Sequence, residues 1–85
     1  MIEAYYAVTE DNELVVTAKK YFDRTGCLDE GTDDYEEILD VLCGLGCVET
    51  VECCFELPDG TDVDALVAMA LDNGIDMARN PAILG

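Results

Sequence analysis

Apolar and polar residues alternate over the first part of the chain, and the period then changes three times. Ile2 to Thr9 places Ile2, Ala4, Tyr6 and Val8 on one side and Tyr5 and Ala7 on the other. Both sides are apolar, which predicts a strand in the middle of a sheet. Glu10-Asp11-Asn12-Glu13 reads as a four-residue turn, and Leu14 to Phe22 as a second strand that closes a hairpin. A loop follows from Asp23 to Gly31. The period then becomes helical, with Tyr35, Ile38, Leu39, Leu42 and Cys43 on one stripe. Thr32 or Asp33 caps this helix, Asp33 with Glu36 has capping-box spacing, and Gly44 and Gly46 stop it.

Alternation returns from Cys47 to Leu57. Val51, Cys53, Phe55 and Leu57 face Thr50, Glu52, Cys54 and Glu56, which predicts a third strand with one buried and one wet, acidic face. Pro58-Asp59-Gly60 is a turn. Thr61 caps a second helix with Val63, Leu66, Val67, Ala70 and Leu71 as its stripe, and Asn73-Gly74 ends it with Ile75 folded back against it. The tail from Asp76 to Gly85 is expected to close over the core through Met77, Ile83 and Leu84. The order ββαβα over residues 1–85 predicts a single two-layer α+β domain. A right-handed crossover puts the third strand beside the first, giving a three-stranded antiparallel sheet of order 2-1-3 with both helices on one face.

Charge changes the picture more than any motif. The 85 residues carry 20 carboxylates against four cations, a formal charge of −16. Between Thr25 and Ala78 stand fifteen carboxylates and no Lys or Arg. Two carboxylates about 6 Å apart repel by roughly 0.7 kcal/mol in bulk water. A surface shaped for stability alone would intersperse cations. Hydrophobic residues make up 51% of the chain, enough for a core, so the acidity does not mark a disordered tail. It does exclude phosphate backbones and anionic lipid as direct ligands. The longest apolar run, Ala65 to Leu71, is too short to span a bilayer. Glu3 and the lack of a basic flank speak against a signal peptide, so the five cysteines are expected as reduced thiols in a cytoplasmic protein. Lys19, Lys20 and Arg24 cluster at the end of the second strand, where lysines discourage edge-to-edge pairing.

Few residue patterns support chemistry. Gly44-Leu45-Gly46 follows a helix instead of opening one, and no Lys accompanies it as in a phosphate loop. Cys43, Cys47, Cys53, Cys54 and Cys27 lack the short paired knuckles of structural zinc, and adjacent Cys53 and Cys54 point to opposite faces of a strand. A calcium loop starting at Asp29 puts Asp34 where glycine is required. The chain has neither a His to act as a base near neutrality nor a Ser nucleophile, and nothing singles out a pair of carboxylates for acid–base work. We expect no enzyme activity, no cofactor and no metal.

The carboxylates themselves admit three explanations: a plain solvated surface, adaptation to high salt, or recognition of a basic surface. B-DNA carries about one charge per 1.7 Å of axis. The row Asp33, Glu36, Glu37 and Asp40, at about 1.5 Å of rise per residue, approaches that density. Glu52 and Glu56 on the third strand and the corner Asp59, Asp62 and Asp64 supply further rows. In size, charge and expected compartment the whole chain resembles phage-encoded acidic inhibitors that mimic DNA, some anti-CRISPR proteins among them. It is similar in the same way to nuclease immunity proteins. The resemblance implies a non-enzymatic inhibitor that blocks a basic nucleic-acid-binding protein or complex, such as the DNA groove of a CRISPR effector. The other reading is an acidic subunit or adaptor that docks on a basic protein through an apolar strand edge or the tail.

Overall fold

The computed structural model describes residues 1–85. Five strands form one mixed sheet in the order β3-β4-β2-β1-β5: β1 (Ile2–Val8), β2 (Leu14–Ala18), β3 (Val48–Val51), β4 (Cys54–Glu56) and β5 (Ile75–Arg79). Three helices, α1 (Lys19–Thr25), α2 (Asp33–Gly44) and α3 (Val63–Asp72), and a 3-10 turn at Pro81–Leu84 complete the chain. All neighbouring strands are antiparallel except β1 and β5, which run parallel with Ile2 opposite Ile75. The fold is therefore α+β, but the expected three-stranded antiparallel sheet of order 2-1-3 with two helices is overturned on three counts.

First, the second strand stops at Ala18, and Lys19–Thr25 is helical. Gly26 ends that helix at φ 72°, its N–H donating to the Phe22 carbonyl. This is the left-handed stop that glycine accepts without a Cβ penalty. All five residues of β2 are buried, so alternation carried no information about where the strand ended. Second, the third strand is a hairpin, broken at Glu52-Cys53, where Cys53 takes φ 69°. A non-glycine residue in this region is strained and persists only when its surroundings hold it there. Here the Cys53 N–H donates to the Tyr35 hydroxyl (2.7 Å), its carbonyl accepts from the Val16 N–H (2.9 Å), and its thiol reaches the Asp29 carbonyl (3.1 Å). Third, the tail supplies β5. Ile75 and Met77 are buried while Asp76 and Ala78 are exposed, a strand pattern five residues long. The place beside β1 thus belongs to β5, and β4 pairs with β2.

Two helices cover one face of the sheet. Tyr35, Ile38 and Leu42 of α2 and Leu66 and Ala70 of α3 join Ala4, Tyr6, Leu14, Val16 and Phe55 in the main core. Leu39, expected on the buried stripe, is half-buried, and Cys43 is exposed. Leu71, assigned to the stripe of α3, is also exposed. The opposite face has a thinner cover, in which Ile83 packs on Ala7 and Val15, with Phe22 and Leu28 at its margin. Leu84, expected to help close the core, is exposed. No helix is long and apolar enough to cross a membrane.

One buried carboxylate organises the loop between α1 and α2. Asp29 is 1% exposed. Its carboxylate accepts from the Gly31 N–H (3.0 Å), the Thr32 N–H (2.9 Å) and the Thr32 hydroxyl (2.6 Å). Thr32 in turn caps α2 by accepting from the Tyr35 N–H. The Asp29 N–H donates to the Thr17 hydroxyl (2.8 Å), tying the loop to β2. Burying a charge without a cation is tolerable when its lone pairs are occupied in this way.

Candidate functional site

The nine carboxylates singled out in the sequence are all exposed. They do not form one surface. Asp33, Glu36, Glu37 and Asp40 line the outer side of α2, whose inner side packs Tyr35, Ile38 and Leu42. Glu56 lies opposite Val48, on the side of the sheet that bears Cys54 and faces away from α2. Glu52 sits in the turn between β3 and β4 and shares a shallow hollow of about 330 Å³ with Cys27, Leu28, Asp29, Glu30 and Cys53. Asp62 caps α3, its carboxylate accepting from the Ala65 N–H at 2.7 Å, with Asp59 before it and Asp64 in the first turn. Three acidic patches result: the α2 row, the Glu52–Glu56 side of the hairpin, and the entrance to α3.

The cations are confined to two elements. Lys19, Lys20 and Arg24 lie on α1, and Arg79 ends β5. Lys20 and Arg24 share a groove with Asp33 and Asp34, so the N-terminal end of the α2 row abuts the basic corner. Glu36, Glu37 and Asp40 extend away from it, one to two turns further along the helix. The molecule contains a single ion pair, Lys19 with Glu3 at 3.2 Å. That contact raises the Lys19 pKa, chiefly through the hydrogen bond to Glu3. The carboxylates of α2, α3 and the hairpin have no cationic partner.

Glu49 behaves differently from its neighbours. It stands opposite Phe55, on the helix-covered face, and its carboxylate accepts the Tyr35 hydroxyl hydrogen at 2.5 Å. Burial, and then the hydrogen bond to Glu49, push the Tyr35 phenol far above its ordinary value. Burial likewise pushes the Cys53 thiol up to about 12 and raises Cys47 and Cys54. These thiols are therefore protonated and poor nucleophiles near neutrality. No three Cys, Asp or Glu side chains converge in a geometry able to hold a metal ion. The five cysteines are all unpaired, with Cys27 and Cys43 exposed.

The sequence reading missed two residues that bear on this surface. Val48 and Val51, on β3, are 58% and 64% exposed. Alternation predicts Val51 on the buried face of the third strand, and the bulge between Glu49 and Val51 turns it outward. It puts both valines on the side of Cys54 and Glu56. The available signal was Val48, an apolar residue on the phase that an unbroken third strand gives to its wet face. Comparison with known protein families, curated proteins and solved structures finds no match for this chain.

Proposed function

We propose that the protein is a non-enzymatic inhibitor that occupies a basic nucleic-acid-binding site, its carboxylates taking the place of phosphates. The observation that carries this reading is the separation of charge. Twenty carboxylates form one ion pair, and every cation lies on α1 or at the end of β5. The row Glu36, Glu37 and Asp40 is held on a helix whose other side is locked into the core, so the charges are displayed at little further cost in ordering. Long-range attraction speeds encounter with a basic groove, and charge-assisted pairs to Lys and Arg hold it. Glu52 and Glu56, with Asp59, Asp62 and Asp64, widen the negative field around that row.

The test is displacement of labelled duplex DNA from purified CRISPR effector complexes, read by fluorescence anisotropy. The expected result is displacement that weakens steeply between about 50 and 300 mM salt. Glu36→Lys with Asp40→Lys should reduce it by at least about tenfold while melting at or above the native temperature. Displacement indifferent to both salt and charge reversal, or none from any complex, overturns the reading.

A further inference from the structure

The apolar row that crosses the sheet opposite the helices runs Ala7, Val15, Cys54, Val51, one residue from each of four adjacent strands. Burial falls along it: Ala7 is 2% exposed, Val15 4%, Cys54 is half-buried, and Val51 is 64% exposed. The cover formed by Ile83, Phe22 and Leu28 thus ends before β3. The outer edge of β3 is also unpaired, because β3 is the last strand of the sheet. Natural edges are commonly guarded by lysine, proline or a bulge. This edge has a bulge and no cation or proline in β3 or β4. Its guards are carboxylates: Glu52 at the turn, Glu56 beside Val48, and Glu13, which accepts from the Thr50 hydroxyl at 3.3 Å. A guard of one sign repels a second copy carrying −16. It does not repel a basic chain.

We propose that the β3 edge accepts an extended segment alternating apolar and basic residues, which adds as a sixth strand. Its apolar residues pack on Val48, Val51 and Cys54. Its Lys or Arg side chains point to the other face, toward Glu49, on the side of the sheet that α2 covers. Backbone pairing supplies affinity and alternate side chains supply specificity, as in other strand additions. The basic character of the partner rests on the function proposed above; the site itself rests on the edge and its valines.

The probe is a short peptide alternating valine and lysine, compared with one of equal charge in which proline replaces the inner valines. The full-length chain is followed by amide exchange and by titration. The expected result is at least about tenfold slower exchange within Val48–Val51 and at least about tenfold tighter binding of the alternating peptide. Val48→Thr with Val51→Thr should remove that preference while leaving the melting temperature unchanged. Equal binding of the two peptides, protection confined to Ile75–Arg79, or protection that tracks self-association without peptide each overturn the proposal. If DNA displacement fails but the alternating peptide protects β3, the edge site stands and the inhibitor reading falls. If displacement succeeds and the two peptides bind alike, the reverse holds.

Discussion

The two ends of the sheet are built differently. At Val15 of β2 and Ala7 of β1 the sheet is covered from both sides, by α2 and α3 above and by Ile83, Phe22 and Leu28 below, and every cation of the molecule lies on α1, which follows β2, or on β5, the neighbour of β1. At the β4–β3 end only the helix-bearing side is covered, all four residues of β3 are exposed, and no cation is present. One end is fixed by packing. The other keeps one packed anchor, Phe55 on β4, and is otherwise held by polar bonds, chiefly Tyr35 to Glu49 and Cys53, with the Asp29 loop joining Thr17 to the Cys53 thiol. The difference teaches that the packed middle of the sheet and its exposed β3 edge can be altered separately, each with modest effect on the other.

The sharpest test compares a residue of each end. Leu14→Ala, at a fully buried position of β2, is expected to cost about 2–5 kcal/mol, measured by urea denaturation. In the middle range is Tyr35→Phe, which leaves the Cys53 N–H without an acceptor and frees Glu49. It should cost about 1–3 kcal/mol and speed amide exchange in the hairpin before the rest of the sheet. Global rather than local loosening would break the division between the two ends.

Alkaline pH should act through the same seam. Both Cys53 and Tyr35 have acidities weakened by folding, so the fold favours their neutral forms and the unfolded chain ionises first. Their contribution is therefore complete below the ordinary thiol value of 9.0 and is lost as pH rises toward about 12. Melting temperature should hold to about pH 9 and then fall, by about 4–8 °C for each kcal/mol lost. Tyr35→Phe should make the fall shallower above about pH 10. The smallest effect is expected from Val51→Ala, within about 0.5 kcal/mol, because the side chain it shortens is already in solvent.

What could be read from the sequence followed signal length. Long periodic stretches gave α2 and α3 nearly to the residue, including the inward Tyr35, Ile38 and Leu42 and the outward carboxylates, although Asp62 caps α3 in place of the expected Thr61. The α+β class followed from them. Short elements failed for separate reasons. In β2 every position is buried, so alternation could not show that Lys19 begins a helix. The Glu52-Cys53 turn has neither glycine nor asparagine. Its left-handed Cys53 is imposed by Tyr35, Val16 and Asp29, none of them sequence neighbours. Strand β5 offered only five alternating residues. The acidic candidates were legible as exposed charge, but their distribution over two sides of the sheet depended on that turn and so could not be read in advance.

The parallel pairing of β1 with β5 sets an order of events during synthesis. Residues Ile2 to Tyr6 leave the ribosome well before their partners Ile75 to Arg79, with three strands and three helices between them. Until then β1 lacks one of its two neighbours, and contacts this distant in sequence form slowly. Assembly of the domain is therefore completed only as β5 arrives, and a nascent chain stalled before Ile75 would leave one edge of β1 open to chaperones and proteases.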